Sequence, residues 1–370
     1  MICDPCERAP ANIRALAPYQ PGKPISELAR ELGLAEKTIV KLASNENPLG
    51  ASPKGLQAAE ASLADLARYP DGSGFGLKSA LTRKLGIKAN RIVLGNGSND
   101  VLELVAQAFL APGTSAVYSE HAFAVYPLAV RAIGATGIEA PAKNFGHDLT
   151  AMQAAIMDDT RVVFIANPNN PTGTLVSNDE LEAFLKAVPS HVVVVLDEAY
   201  GEYLPAERQS RAMEWLERFP NVVVSRTFSK AYGLAGLRVG YGLSSIAVAD
   251  LMNRVRQPFN VNGPALAAAE AALSDDEFIG RSYALNQLGM KQLVQGFEKL
   301  KLDYIPSAGN FIGVRVGVAQ AIFEALLRRG VIVRPVGSYA MPEHLRISIG
   351  LAQENAKCLL ALEEALNECR

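Results

Sequence analysis

His191-Val192-Val193-Val194-Val195-Leu196-Asp197-Glu198-Ala199-Tyr200 is the stretch on which the fold turns. Its five consecutive apolar residues leave no polar face for water. A strand built from them is covered on both sides, as in a mainly parallel sheet, rather than alternating apolar and polar like a half-wet antiparallel strand. The run stops abruptly at two carboxylates and a tyrosine. In parallel sheets with helices on both faces, ligands bind beyond the carboxyl ends of the strands. Asp197 and Tyr200 therefore stand where chemistry is expected.

Working outward, further apolar runs at Arg91–Leu94, Ala116–Tyr118, Gly137–Ala140, Arg161–Ala166, Val222–Arg226 and Leu237–Tyr241 alternate with helical patterns such as Asp179–Ala187. Such helices fit right-handed crossovers between parallel strands. The spacing predicts an α/β large domain over 45–263 with about seven strands, mainly parallel. Residues 1–44 read as an arm, proline-rich from Pro10 to Pro24 and then helical over Ser26–Leu32. Residues 264–370 predict a smaller α+β domain. It holds a long helical stretch Pro264–Lys299, strands Phe311–Val316, Val331–Pro335 and Leu345–Ile349, and helices Ala319–Arg329 and Glu354–Glu368.

Composition narrows the function classes. The 370 residues are 49% hydrophobic and 20% charged, with a formal net charge of -2. A near-neutral chain offers no electrostatic footprint for nucleic acid or an anionic membrane. No apolar run approaches the ~18–20 residues of a membrane span. Met1 to Arg8 carries acids and no apolar stretch, so no signal peptide is expected. The four cysteines, Cys3, Cys6, Cys358 and Cys369, are too few for a disulfide framework and suit a cytoplasmic protein. Cys3 and Cys6 have metal-ligand spacing, but no second Cys/His pair follows, and no metal site is expected.

Three strand ends bring chemistry together. Arg161–Ala166 runs into Asn167-Pro168-Asn169-Asn170-Pro171-Thr172-Gly173, the valine strand into Asp197 and Tyr200, and Val222–Arg226 into Thr227-Phe228-Ser229-Lys230. An amide, an acid with a phenol, and an amine thus converge on one crevice. Separately, Arg91–Leu94 ends in Gly95-Asn96-Gly97-Ser98-Asn99-Asp100 before a helix expected over Val101–Leu110. Small residues there free backbone N–H groups at a helix N-terminus to hold a phosphate.

Taken in order, Asn167–Gly173, Asp197 with Tyr200, Ser229-Lys230-Ala231-Tyr232-Gly233-Leu234-Ala235-Gly236-Leu237-Arg238, and Leu345-Arg346-Ile347-Ser348 span most of the chain. They resemble the fold-type-I, class I/II aminotransferase family. Tyr19-Gln20-Pro21-Gly22-Lys23, Leu42-Ala43-Ser44-Asn45-Glu46-Asn47-Pro48 and Arg68-Tyr69-Pro70-Asp71 are similar to the histidinol-phosphate branch of that family.

The resemblance implies pyridoxal 5'-phosphate as cofactor. Lys230 would join it covalently and move the proton, and Asp197 would face the ring nitrogen and keep it protonated, as an electron sink requires. It further implies that Tyr200 and Asn167 bond the ring's phenolic oxygen and that Phe123 lies against the ring. Ser229 and Arg238 would hold the phosphate with a cup at Gly97, Ser98 and Asn99. The pair Ser98-Asn99 departs from the small residue plus acid usual there, which leaves those side-chain contacts open. Arg346 and Arg334 would bind the anionic end of the substrate, with Tyr19, Asn45 and Asn167 around it. Tyr69 would reach the cofactor phosphate of a partner subunit, in a homodimer with shared sites. The implied reaction transfers the amino group of histidinol phosphate to 2-oxoglutarate in histidine biosynthesis. An aromatic amino-acid aminotransferase and a phosphothreonine-type decarboxylase remain open alternatives.

Two other motifs fail. Gly72-Ser73-Gly74-Phe75-Gly76-Leu77-Lys78-Ser79 imitates a phosphate-binding loop, but Leu77 stands where the second glycine is needed. Gly95–Asp100 begins like a dinucleotide fingerprint, but Asp100 replaces its last glycine. His121, His147, His191 and His344 are scattered singly.

Overall fold

A computed structural model describes residues 4–369. Cys3, and with it the Cys3–Cys6 pair, lies outside the described residues. The apolar runs form one sheet of seven strands: β1 (Ile92–Gly95), β2 (Ser115–Ser119), β3 (Thr136–Ala140), β4 (Thr160–Ala166), β5 (Val193–Asp197), β6 (Val222–Thr227) and β7 (Gly240–Leu243). Their order in space is β1-β7-β6-β5-β4-β2-β3. Strand β7 runs antiparallel to β1 and β6, and the remaining pairs are parallel.

Both faces of β5 are buried. Val193 and Val195 join Phe164 and Val223 in a core formed with helices Ser98–Phe109 and Val125–Ile133. Val194 and Leu196 join Ile165, Val224 and Trp215 on the other face. Each such side chain contributes roughly 1.5–3 kcal/mol when fully buried. Because strand side chains alternate, Asp197 continues the face of Val193 and Val195 while Glu198 turns to the other. There Glu198 meets Arg226 at 2.8 Å.

The reversed strand has a topological effect. The N-terminal end of β7 lies at the sheet edge where the parallel strands finish, so the residues just before it arrive at that edge. Leu237–Tyr241 was the expected strand, but pairing begins only at Gly240. A short turn at Ala235–Leu237 and Arg238 in the left-handed region (φ 57°) precede it. Likewise the helix expected over Val101–Leu110 begins at Ser98.

A smaller antiparallel sheet follows: β8 (Tyr304–Ile305), β9 (Phe311–Arg315), β10 (Arg334–Pro335) and β11 (His344–Ser348), in the order β8-β9-β11-β10. Helices Asp276–Lys299, Ala319–Arg328 and Ala352–Glu368 share its core. Two expectations change here. Pro264–Lys299 is two helices, Gly263–Ala272 and Asp276–Lys299. At the break the Leu273 and Ser274 carbonyls accept from Lys84 and Lys54, and the Asp275 carboxylate accepts from Ser52. The first helix packs Ala265, Ala268, Ala269 and Ala272 into a core of the large sheet. Val331–Pro335 also divides. Val331 and Ile332 pair in parallel with Val40 and Lys41 of the arm, and Arg334 and Pro335 pair with β11. The arm helix Ile25–Leu32 buries Leu28 and Ala29 in a cluster with Ile332.

Gly233 closes the loop that carries Lys230. Its φ is +70°, and a Cβ there would lie 1.9 Å from the Gly50 carbonyl oxygen. Gly233→Ala is expected to destabilise the protein by about 2–4 kcal/mol, from left-handed strain plus a clash with backbone that cannot swing away. Thermal unfolding of the cofactor-free protein checks this, and an unchanged Tm would refute it.

Candidate active site

A pocket opens at the C-terminal edge of the large sheet, between it and β10–β11. Asp197 at the end of β5, Lys230 three residues past β6 and Arg238 before β7 all line it, with Arg334 and Arg346 from the smaller sheet. Four cationic side chains thus face one carboxylate. On a chain whose net charge is -2, that local excess marks a site for anions.

The phosphate-sized end is built from backbone. Gly97 has φ 87°, and a Cβ on it would stand 2.5 Å from the Arg238 Nη2. A Cβ on Gly240 would stand 2.5 Å from the amide nitrogen of Ser98. Glycine at both positions lets the guanidinium and the helix N-terminus approach one point. The first turn of Ser98–Phe109 leaves N–H groups without helical acceptors, and its dipole favours an anion. The Arg238 Nη1 donates to the Ser229 Oγ at 3.3 Å and to the Ala235 carbonyl at 3.1 Å. No carboxylate pairs with Arg238 among the described residues.

At the centre, the Lys230 Nζ donates to the Ser44 carbonyl oxygen at 3.1 Å. Burial, then the Arg346 charge, pushes its amine down to about 8, with Asp197 and Glu46 opposing. The amine is therefore neutral in a useful fraction near pH 8, as a nucleophile or base must be. Asp197 is buried and raised to about 6, chiefly by desolvation. It accepts from the Tyr126 hydroxyl at 2.9 Å and the Ala199 amide at 3.3 Å, and both bonds favour its charged form. Tyr126 is fully buried and stacks on Phe164, with ring centroids 4.9 Å apart. It was not singled out from sequence, although it follows Phe123 by one helical turn. Phe123 lines the pocket and meets Tyr126 edge-on.

Tyr200 is buried, raised to about 12 by desolvation, and its hydroxyl accepts from the Asn45 Nδ2 at 2.9 Å. Asn45 has φ 55°, and Ser348 binds both its amide nitrogen, at 2.8 Å, and its side-chain oxygen, at 3.0 Å. Asn45 thus lines the pocket with its amide already committed to Tyr200 and Ser348. Ser348 is a second residue that sequence reasoning missed.

One expectation is overturned. Asn167 faces away from the pocket. Its side chain donates to the Val176 carbonyl at 3.0 Å and accepts from the Val176 amide at 2.8 Å. Strand alternation causes this: Ala166 pairs in register with Asp197 and shares its face, so the next residue points through the sheet. The amide that does line the pocket is Asn170, whose Oδ1 accepts from the Arg346 Nη1 at 2.5 Å.

Arg346 and Arg334 are cross-strand partners on β11 and β10. Residues directly opposite in a sheet project to the same side, and like charges so placed repel. Arg346 is buried, and its pKa is lowered chiefly by desolvation, with Arg334 adding to the shift. Its Nε has no hydrogen-bond partner, and no carboxylate pairs with either arginine among the described residues. The Arg334 Nη2 donates to the Gln20 carbonyl at 2.6 Å, and its guanidinium lies 5.6 Å from the ring centroid of Tyr19. Tyr69 is 83% exposed, stacks on Phe259 and lies outside this pocket.

The donor set fits a phosphorylated cofactor with a basic ring nitrogen and a carbonyl. Helix amides, Ser229 and Arg238 suit the phosphate, Asp197 suits the nitrogen, and Lys230 suits the carbonyl. Asp197 also carries a cost in the cofactor-free chain. Its folded pKa near 6 exceeds the usual 3.8, so the folded state binds more protons than the unfolded between those values. Stability from this group therefore falls as pH rises through that window. Asp197→Asn should raise the stability of the cofactor-free protein above pH 6 by up to about 3 kcal/mol, converting the shift at 1.36 kcal/mol per unit. It should leave stability at pH 4 nearly unchanged while removing most turnover. Denaturant unfolding at both pH values tests the sign, and a destabilised variant at pH 7 would contradict it.

Residues 37–361 match the model for "Aminotransferase class I and II". The chain is 64% identical over 358 residues to a histidinol-phosphate aminotransferase of Thiobacillus denitrificans, covering 97% of this chain and 93% of that one. It is 63% identical to one from Methylobacillus flagellatus, covering 97% of each. A crystal structure of histidinol-phosphate aminotransferase from Sinorhizobium meliloti, in complex with pyridoxal-5'-phosphate, superposes with a TM-score of 0.91 at 29% identity, covering 98% of each chain. With the pocket, the sheet order and these likenesses in agreement, the chain belongs to the class I and II aminotransferase family.

Proposed function

We propose that this protein transfers the amino group of L-histidinol phosphate to 2-oxoglutarate, with pyridoxal 5'-phosphate as cofactor, in the cytoplasmic synthesis of histidine. The observation that carries the reading is the cross-strand pair Arg334–Arg346, two guanidiniums on one face with no carboxylate paired to either among the described residues. A phosphate dianion relieves their repulsion and fills both donor forks, and a single carboxylate does so less completely. The names borne by the relatives point the same way.

The bound cofactor supplies an electron sink for the substrate's α-carbon. Ser229, Arg238 and the amides from Ser98 onward would hold its phosphate. Asp197, charged through the Tyr126 and Ala199 bonds, would hold a proton on its ring nitrogen. Asn170, whose Nδ2 donates to no partner among the described residues, would take the role expected of Asn167, beside Tyr200. Lys230 would bind the cofactor and then take and return the α-proton. Arg346 and Arg334 would fix the anionic end of the substrate, and Phe123 would limit the tilt of the ring.

The dimer belongs to the same reading. Tyr69 presents its hydroxyl outside its own pocket, and Leu66 and Phe75 near it are also largely exposed. We propose that Tyr69 completes the phosphate site of a second copy. Mixed dimers of a Tyr69→Phe chain and a Lys230→Ala chain would then contain one fully intact site, because the Lys230-bearing site receives the wild-type Tyr69. Activity near half that of the wild-type dimer is expected; activity no higher than the Tyr69→Phe site alone places Tyr69 in its own subunit's site.

Arg334→Gln tests the substrate. It removes one charge-assisted pair, worth about 1.5–3 kcal/mol. The kcat/KM for histidinol phosphate should fall roughly ten- to hundredfold, and the glutamate half-reaction should fall less. The two half-reactions are followed separately by cofactor absorbance. Equal losses would make Arg334 a general organiser of the site. No loss in either would favour an aromatic amino acid as the substrate.

A further inference from the structure

A second hollow runs out of the active-site pocket, sharing Tyr19, Asn99 and Phe123 with it. Its walls are the arm around Ile13–Pro18 and the facing sides of helices Ser98–Phe109 and Val125–Ile133. They are mostly apolar, with Leu16, Ala106, Leu128 and Ile133 among them. Among the described residues no cationic side chain lines this hollow, and Glu103 is its one carboxylate. Asn99, Glu103 and Gln107 follow one another at four-residue spacing, so they form a single polar ridge leading outward from the pocket. Glu103 makes no hydrogen bond or ion pair among the described residues. Partial burial and the neighbouring Asp100 favour its neutral form, so a hydrogen-bond donor or a cation beside it would be welcome.

The charge map of the two hollows is complementary to one kind of molecule. The inner pocket gathers Lys230, Arg238, Arg334 and Arg346 and suits phosphate. A weakly basic ring attached to the same substrate gains nothing from Arg334 and Arg346, which hold the phosphate, whereas the hollow that meets the pocket at Tyr19, Asn99 and Phe123 offers it a cation-free direction along the ridge towards Glu103. Apolar walls accept the faces of a flat ring, and a carboxylate at the rim accepts its N–H.

We propose that Glu103 is a specificity-determining residue that accepts the imidazole N–H of the substrate in this hollow. The proposal rests on the histidinol-phosphate reading above and adds to it the group that distinguishes an imidazole from a phenyl ring.

The test uses the holoenzyme and its separate half-reactions. Glu103→Gln keeps the shape and removes the charge, and Glu103→Leu matches the apolar walls. Both should lower kcat/KM for histidinol phosphate roughly tenfold, the weight of one charged hydrogen bond. The loss should appear in KM with kcat little changed, because Glu103 does not touch the reacting atoms. Phenylalanine has no N–H on its ring, so Glu103→Leu should use it as well as or better than the wild type. The glutamate half-reaction should change less than twofold, which together with an unchanged Tm excludes a folding defect. Equal losses with histidinol phosphate, phenylalanine and glutamate would make Glu103 structural and overturn the proposal. So would full activity of both variants on histidinol phosphate. A wild-type protein that does not turn over histidinol phosphate would overturn the substrate reading itself, and this proposal with it.

Discussion

The pocket depends on a carboxylate kept ionisable where water is scarce. Asp197 ends a strand whose two faces are both sealed by apolar side chains, and that burial pushes its pKa up, to about 6. The Tyr126 hydroxyl and the Ala199 amide oppose that tendency. Much of the surrounding design keeps this balance. Tyr126 is fixed by stacking on Phe164, which in turn belongs to the core that buries β5. The same apolar packing that makes the strand stable thus places the carboxylate and sets its acidity.

Around that carboxylate, charge is distributed by topology rather than by sequence proximity. Lys230 and Arg238 reach one edge of the sheet because β6 ends there and the reversed β7 begins there. Arg334 and Arg346 come from a separate sheet and face each other across two strands. Each arrangement is unfavourable in the empty protein, since like charges are held together and partly dried. A site of this kind stores its recognition as electrostatic strain that an anion relieves.

The fold class was legible in the sequence, and so was most of the pocket. Continuous valine runs announce strands buried on both faces, and each run that ends in polar residues marks the ligand-bearing edge. Lys230, Asp197 and Tyr200 could be located from where strands stop, and Arg238 and Arg346 from the family resemblance of the motifs that hold them. What escaped was whatever depends on parity and register. Asn167 and Asn170 stand in one loop and look equivalent on paper. The pairing of Ala166 with Asp197 decides that Asn167 turns through the sheet, and no single strand encodes that pairing. Tyr126 escaped because its partner lies 71 residues away. The break before Asp276 escaped because helical periodicity continues across it. The bonds that hold the chain at the break come from the distant Lys54, Lys84 and Ser52.

Arg334 sits on a strand of only two residues, at the rim of its sheet and paired on one side alone. Lys230 and Asp197, to which the chemistry is assigned above, are carried at strand ends of the other, larger sheet. On the reading proposed above, choice of substrate and capacity for reaction are therefore inherited on separate pieces of architecture. On that reading, a lineage could exchange the residue at 334, and with it the diet of the enzyme, without rebuilding the strands that carry Asp197 and Lys230. A scaffold divided in this way gives natural selection room to draw many specificities from one unchanging chemistry.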